Sequence, residues 1–195
     1  MRFVLASNNE RKLEELRQIL SQMGHEVLSQ REAGLNLTVE ETGTTFEENA
    51  RLKARGASDA LGLPVIADDS GLMVDALDGA PGVYSARYGG EGLDDRGRNA
   101  LLLKNMEGKE NRSARFVCCI CCRFPDGREI TARGECPGQI LEGPRGKDGF
   151  GYDPVFYMPK YGKTMAEMTP EEKNAVSHRG RALERLAAEL RKIQK

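Results

Sequence analysis

Strand-like and helix-like segments alternate along the first third of this chain, and this alternation restricts the possible folds more than any other feature of the sequence. Apolar runs typical of strands lie at 2–6, 27–28 and 63–67. Between them, apolar residues recur at helical spacing over about 10–23 and 45–61. Strands that alternate with helices predict a sheet with helices packed on it, the arrangement of α/β domains.

The second half of the chain adds a different connection. Segments 113–124 and 128–136 flank Pro125-Asp126-Gly127, a turn sequence that predicts a β-hairpin. A helix is expected at about 94–106. The remaining predicted elements are a long loop, a short strand and a last helix, at 79–90, 154–157 and 177–193. With no repeat, low-complexity tract or linker, the 195 residues are expected to form a single domain (1–195) with a mixed sheet.

The charge balance is close to neutral, with 29 basic and 30 acidic residues and a net charge of −1. No overall field attracts nucleic acid or an anionic membrane, so an anion must be bound by locally placed groups. Apolar runs are far shorter than the ~20 residues of a membrane span. A polar turn and a helix follow the first strand at once, which argues against a signal peptide. We therefore expect a cytoplasmic protein with no membrane or nucleic-acid partner.

Four of the five cysteines lie together in one predicted strand, at Cys118, Cys119, Cys121 and Cys122. They form two C-x-x-C pairs, but residues three apart on a strand point to opposite faces and cannot bind one metal ion together. Neither Cys136 nor the two histidines supplies an evident second pair of zinc ligands. Buried free thiols that pack as small apolar side chains are therefore the expected arrangement.

Two adjacent carboxylates, Asp68 and Asp69, follow the apolar run that ends at Ala67. An unpaired carboxylate loses its hydration at large cost when it is buried, so a cation is expected beside the pair. Mg²⁺, which is commonly bound together with phosphates, is one such cation. The alternative is that one of the two acids caps a turn at Ser70-Gly71.

Two segments beside predicted helix starts carry groups suited to phosphate. Ser7-Asn8-Asn9 precedes the first helix, whose N-terminal N–H groups and Lys12 could hold an anion. An ordinary capped surface helix is the alternative. Around the second helix, Glu41 could supply a metal-binding oxygen and Lys53 a phosphate contact. The alternative there is a solvated acidic loop before an amphipathic helix.

Two segments in the second half carry groups suited to a nucleobase. Glycines flank Phe150 within 149–154, and its ring could stack on a base or fill the core instead. Farther on, Ser177 can cap the last helix and so place His178 and Arg179 in its first turn. Cations oppose the helix dipole at that end, which indicates another use for them, with packing against acidic neighbours as the alternative.

These segments occur in the order found in the inosine/xanthosine triphosphate pyrophosphatases, and the chain resembles that family from Ser7 to about Leu186. The motifs that carry the resemblance are SNNERK (7–12), EETG (40–43), FEENARLKA (46–54), IADDSGL (66–72), GAPGVYSARY (79–88), FGYDP (150–154) and EKNAVSHRGRAL (172–183). The chain departs from the family at Asn9-Glu10-Arg11, where small residues are commoner.

The resemblance implies hydrolysis of deaminated purine nucleoside triphosphates (ITP, dITP and XTP) to the monophosphate and pyrophosphate. It implies a long mixed sheet that floors a cleft between two lobes, usually in a homodimer, with a small-molecule nucleotide as the partner and Mg²⁺ as the cofactor. Glu41 and Asp69 would bind the Mg²⁺, and Asp69 would also accept the proton of the attacking water. The resemblance assigns no role to Asp68 or Arg87, and the choice of Glu41 over Glu40 stays open.

The substrate-binding residues that the resemblance implies are Ser7, Asn8, Asn9, Glu10, Arg11, Lys12, Lys53, Ser70, Phe150, Gly151, Tyr152, Asp153, Lys173, His178 and Arg179. The first six and Lys53 would hold the triphosphate, 150–153 would line the base and sugar pocket, and the last three would contact the purine edge. Lys173 and Arg179 are donors only, so they suit the 6-oxygen of hypoxanthine and xanthine and oppose the 6-amino group of adenine.

Three other functions fit parts of the sequence. A non-catalytic nucleotide-binding protein could discard its acids, and the presence of Glu41, Asp68 and Asp69 together argues against it. A pyrophosphatase for modified pyrimidine or methylated nucleotides would share the phosphate-binding loop. A general phosphatase would release orthophosphate rather than pyrophosphate.

Overall fold

The computed structural model describes residues 1–90 and 92–193. Its strands are β1 (Arg2–Leu5), β2 (Glu26–Ser29), β3 (Val65–Val74), β4 (Ser113–Arg123), β5 (Glu129–Ile140), β6 (Phe156–Met158) and β7 (Lys163–Thr164). Its α-helices are α1 (Glu10–Ser21), α2 (Phe46–Leu61), α3 (Asp95–Asn105), α4 (Pro170–Val176) and α5 (His178–Ile193).

Among the described residues, the seven strands form one sheet in the order β2-β1-β3-β4-β5-β6-β7. Strand β1 pairs in parallel with β2 and with β3, and Val4 lies opposite both Leu28 and Val65. Parallel neighbours need a crossover connection, which α1 and α2 supply. Strand β6 pairs antiparallel with β5 and with β7. The sheet is therefore mixed, and the predicted α/β class is confirmed.

The chain divides into two compact units, each with its own core. The first comprises 1–69, 118–134 and the chain from His178 onward, and the second comprises 70–117 and 135–177. In the first unit, one apolar cluster joins α1 and α5 through residues such as Leu16 and Leu186, and another lies under α2. The second unit has a separate apolar cluster, which includes Leu102, Phe156 and Met165.

Helix α2 begins where the sequence predicts it. The Thr45 hydroxyl accepts the N–H of Glu48, and the Glu48 carboxylate accepts the N–H of Thr45, which is a capping box. Ala50, Ala54 and Ala57 form its buried stripe. Small side chains on that stripe let the helix lie close to the sheet. Asn49, which lies beside the stripe, therefore reaches Asp69 on β3.

Strand β3 continues beyond the place where the sequence pattern predicts its end. Asp68 and Asp69 lie inside the strand, which runs on to Val74, so the predicted end at Ala67 is wrong. The strand continues because Leu72 and Val74 are fully buried in the core of the second unit. The alternative in which one acid caps a turn is wrong too, because no turn follows them.

Two further differences lie in the second half of the chain. Helix α4 was not predicted, although Thr169 and Glu172 form a capping box around Pro170 at its first turn, a recognisable start signal. The long loop at 79–90 contains a 3-10 helix, Gly82–Arg87. The expected hairpin is confirmed, since β4 and β5 are sheet neighbours joined by a short turn at 124–128.

The cysteines are free and buried, as predicted from their spacing. Burial raises the pKa of the Cys121 thiol to about 12, so it stays protonated and unreactive at neutral pH. None of the helices in the described part of the chain is both long and apolar enough to cross a membrane.

Candidate functional site

A pocket of about 240 Å³ lies in the first unit. Five of the residues predicted to bind substrate or metal line it, namely Ser7, Asn8, Lys12, Glu41 and Lys53. Asp68 and Gln30 line it as well, and the sequence assigned neither of them to the site. The predicted phosphate loop and the acidic loop before α2 are therefore brought together.

Lys53 of α2 lies between two carboxylates in this unit. Its Nζ is 2.7 Å from Glu41 Oε1 and 3.7 Å from Asp69 Oδ1. Burial by itself would lower the pKa of Lys53, but the charges of Asp69 and Asp68 outweigh it and raise that pKa above its usual value. Lys53 is therefore an ammonium cation at neutral pH.

Asn49, one helical turn before Lys53, fixes the orientation of Asp69. It is fully buried, and its Nδ2 donates to Asp69 Oδ2 at 3.0 Å. Its Oδ1 accepts the N–H of Gly43 at 2.8 Å, so the same side chain also holds the loop that carries Glu41. Burial raises the pKa of Asp69, although Lys53 and Asn49 oppose the shift. A carboxylate that is oriented and made more basic in this way is suited to accept a proton.

Asp68 faces a different set of partners from its neighbour. Its Oδ1 accepts from Lys12 Nζ at 2.9 Å, and its Oδ2 lies 3.5 Å from Arg179 Nε. Arg179 also donates to Glu15 Oε2 at 3.1 Å. Burial would raise the pKa of Asp68, but Lys12 and Arg179 outweigh it and hold the pKa well below its usual range. Two cations of the chain itself therefore lie beside Asp68, and Mg²⁺ beside the acidic pair stays a prediction.

The start of α1 is capped in the ordinary way. Asn9 Oδ1 accepts the N–H groups of Arg11 and Lys12 at 3.0 and 3.3 Å. Two of the donors that would otherwise face an anion therefore already have an acceptor. The side chains of Glu10 and Arg11 are exposed. Of this segment, Ser7, Asn8 and Lys12 are the residues that line the pocket.

The carboxylates of the first unit provide a small donor set for a metal ion. Within residues 1–90 and 92–193, no three His, Cys, Asp or Glu side chains are grouped as a ready-made metal centre. Glu41 and Asp69 do approach the same cation, Lys53 Nζ. Mg²⁺ is usually held by one or two carboxylates together with water and substrate phosphates, so a two-carboxylate set fits this ion.

The second unit organises Phe150, Asp153 and Lys173 around one another. Lys173 Nζ donates to Asp153 Oδ2 at 2.6 Å and lies 4.4 Å from the centroid of the Phe150 ring. Asp153 Oδ2 also accepts the N–H of Phe150 at 2.9 Å. Phe150 is 37% exposed, which excludes the alternative in which its ring fills the core. A displayed ring beside a cation is suited to stacking on a flat ligand.

The backbone at residue 149 requires a glycine. It has a φ of +82°, and a Cβ there would lie 2.3 Å from Asp153 Oδ2. Tyr152 and Asp153 are buried, and the Tyr152 hydroxyl donates to the carbonyl oxygen of Ser85 at 2.8 Å. Of the four residues 150–153, Phe150 is thus the one with a large exposed side chain.

The remaining predicted residues divide between the units. His178 and Arg179 are buried in the first unit, at the start of α5, and Lys173 and Ser70 belong to the second. Sequence reasoning missed four residues. Glu15 pairs with Arg179, and Gln30 lines the pocket. Asp95 and Asn99 bond to Gly151 in the second unit. The i, i+4 spacing of Asp95 and Asn99 on a predicted helix is the one signal that could have marked a shared face.

The fold and these side chains define an α/β protein with a mixed sheet, a pocket lined by lysines and carboxylates, and a displayed aromatic ring. The chain belongs to the Ham1 family, whose profile matches residues 3–189.

Named relatives and solved structures agree with this membership. The chain is 50% identical over 190 residues to the dITP/XTP pyrophosphatase of Exiguobacterium sp., covering 97% of both chains. It is 52% identical to the dITP/XTP pyrophosphatase of Deinococcus deserti, over 95% of this chain and 87% of that one. Its structure matches the HAM1 protein of Coxiella burnetii with a TM-score of 0.94 and 44% identity, over 98% and 99% of the two chains.

Proposed function

We propose that this protein hydrolyses deaminated purine nucleoside triphosphates (ITP, dITP and XTP) to the nucleoside monophosphate and pyrophosphate. The observation that carries the proposal is the buried Asp69, oriented by Asn49 and placed beside Lys53 and Glu41. The relatives named dITP/XTP pyrophosphatase support the substrate class. Such an activity removes deaminated nucleotides before they enter DNA or RNA.

Asp69 is the proposed proton acceptor for the water that attacks the α-phosphorus, with pyrophosphate as the leaving group. Asn49 keeps one carboxylate oxygen fixed, so Asp69 does not have to reorient as it takes the proton. Lys12 and Lys53 are the proposed partners of the triphosphate oxygens, because both residues line the pocket. Acceleration of phosphoryl transfer arises mostly from positioning and from cationic groups that stabilise the negative charge on the phosphate oxygens.

Glu41 and Asp69 are the proposed ligands of Mg²⁺, since both lie against Lys53 Nζ, where a second cation would find two carboxylates. Bound Mg²⁺ would supply positive charge to the phosphate oxygens. Lys53 would then lose part of its pairing with these acids and become available to the substrate.

In the second unit, Phe150 is the proposed stacking surface for the base, and Lys173 is a donor beside it. A donor favours the 6-oxygen of hypoxanthine or xanthine over the 6-amino group of adenine, since two donors cannot pair. Sites built on such donors reject the mismatched base strongly. Arg179 and His178 remain proposed purine contacts from the family resemblance, and Arg179 is also an ion-pair partner of Asp68.

A nucleotide panel tests the proposed activity. With Mg²⁺ present, ITP, dITP and XTP are expected to release one pyrophosphate per monophosphate, with kcat/KM at least about tenfold above the values for ATP and GTP. Pyrophosphate and orthophosphate are assayed separately, and a reaction in excess EDTA is the control for the metal.

Each rival predicts a different result in this panel. Orthophosphate as the product would indicate a general phosphatase. Preference for a modified pyrimidine nucleotide would move the substrate class, and binding without turnover would indicate a non-catalytic nucleotide-binding protein. Full activity in EDTA would contradict the Mg²⁺ assignment.

We further propose that the protein is cytoplasmic and forms a homodimer. The proposal of a dimer rests on the family resemblance, since members of that family usually form one. Light scattering coupled to size exclusion is expected to give twice the chain mass of 21.5 kDa. A mass of one chain at micromolar protein would contradict the dimer.

A further inference from the structure

Helix α3 holds both backbone groups of Gly151, the residue that follows Phe150. Asp95 Oδ2 accepts the N–H of Gly151 at 2.7 Å, and Asn99 Nδ2 donates to its carbonyl oxygen at 2.9 Å. Asp95 and Asn99 are four residues apart and therefore share one face of the helix. All of these residues belong to the second unit.

Asp95 and Asn99 together form a clamp on Gly151, and both of their side chains are themselves constrained. Arg98 Nη2 donates to Asp95 Oδ1 at 2.7 Å, so the two oxygens of Asp95 contact different partners. Asn99 is buried, and its Oδ1 has no hydrogen-bond partner among the described residues. Burying an amide oxygen without a partner is unfavourable, which indicates that the side chain is kept for the bond made by its Nδ2.

The segment beside Phe150 is held at each neighbouring residue. Gly151 is bound by α3, Tyr152 by the carbonyl of Ser85, and the N–H of Phe150 by Asp153. The ring of Phe150 stays partly exposed while its backbone is fixed. A binding group that is already in place loses less conformational entropy when it meets its ligand.

We propose that Asp95 and Asn99 are positioning residues, which keep Phe150 oriented for a purine base by clamping Gly151. The inference rests on the proposed function, since it assigns to the clamp a role in recognising the base of the substrate. Neither residue is among the proposed partners of the reacting phosphate groups, so we expect the clamp to act on substrate binding and not on the chemical step.

Removing the clamp is expected to change KM more than kcat. Asn99→Ala and Asp95→Ala should each raise KM for ITP about tenfold, because a small misplacement of a binding group is costly. The kcat should stay within about twofold of the wild-type value. Asp95→Asn should restore much of the lost affinity, since its side-chain oxygen still accepts the N–H of Gly151.

Asn105→Ala is the matched control. Asn105 lies on the same helix and donates to the Tyr88 hydroxyl at 2.7 Å, with no bond to Gly151. The Asn105→Ala variant loses one side-chain hydrogen bond. It replaces Asn by Ala in the same helix as Asn99→Ala does, so the change in intrinsic helix propensity is the same. Its KM for ITP should equal that of the wild type.

A double-mutant cycle with Phe150→Ala decides whether the clamp acts through the ring. In the Phe150→Ala background, Asn99→Ala should change KM by less than about twofold, because the group it positions is gone. Additive effects of the two changes would overturn the inference. So would an unchanged KM in both Asn99→Ala and Asp95→Ala with wild-type turnover of ITP intact. Wild-type protein that releases no pyrophosphate from ITP would instead refute the proposed function, and the clamp's role with it.

Discussion

Asp69→Asn is expected to lower kcat for ITP by about 10³-fold or more, because it removes both the proton acceptor and a proposed metal ligand. The fold should survive the change. Burial raises the pKa of Asp69, so above its unfolded pKa the charged carboxylate is less favourable in the folded chain than in the unfolded one. A neutral amide removes that penalty, and the free energy of unfolding at pH 7 should not fall.

Pyrophosphate release and urea unfolding, measured on the same preparation, check both parts of this expectation. Asp59→Asn is the matched control, since Asp59 also lies in the first unit and its side chain is 63% exposed. It should keep wild-type kcat. A folded Asp69→Asn variant with near-normal kcat would remove Asp69 from the catalytic step.

Arg179→Ala is expected to lower the free energy of unfolding by about 3–5 kcal/mol, the usual cost of removing one partner from a buried ion pair. The Arg179 side chain is 8% exposed and lies against both Asp68 and Glu15. Its loss leaves Asp68 buried with one cation fewer.

The size of this loss should depend on pH in a definite direction. The pKa of Asp68 is held below its ordinary value of 3.8, so its ion pairs stabilise the fold above that pH and cease to do so as the pH falls through the folded pKa. The difference between wild type and Arg179→Ala should therefore be largest near pH 7 and smaller near pH 3. Urea unfolding at both pH values measures it.

Arg115→Ala is a suitable control for the stability measurement, because its ion pair with Asp75 is exposed on both sides. That variant should lose less than about 1 kcal/mol. A comparably small loss in Arg179→Ala would show that the buried pairs contribute little.

The Arg179→Ala variant also tests whether Arg179 contacts the purine. If it does, kcat/KM for ITP should fall at least about tenfold in the folded Arg179→Ala protein, with a much smaller fall for ATP. Equal losses on both nucleotides would restrict Arg179 to its role beside Asp68.

Local features of the sequence predicted most secondary structure elements. Helical spacing over 10–23 and 45–61 is a pattern of neighbouring residues, and α1 and α2 form within these ranges. The hairpin at 124–128 follows from its turn residues in the same way. The sequence predicted too early an end for β3. A pair of acids is typical of a strand end unless the residues that pair with the acids are known.

The sequence predicted the family and a set of site residues, and the roles of those residues stay predictions. The order of the motifs identified the family, and five of the expected residues share one pocket in the first unit. At Gly149, the positive φ and the contact that a Cβ would make with Asp153 require a glycine, a reason that the sequence pattern does not reveal. The resemblance places Gly151, Tyr152 and Asp153 with the substrate, and this stays a prediction. In the structure these residues also bond to the protein, through the Gly151 N–H, the Tyr152 hydroxyl and the Asp153 carboxylate.

The sequence by itself determined the alternation of strands and helices, the family, and the side chains available for chemistry, because periodicity, caps and motif order are properties of neighbouring residues. Only the tertiary structure decided which charges face one another. Lys12 and Arg179 both reach Asp68 although they lie on the first and last helices of the chain, and Asn49 reaches Asp69 from α2. Such pairings depend on how the helices pack against the sheet. No local sequence pattern predicts this packing, because the paired residues lie far apart in the sequence.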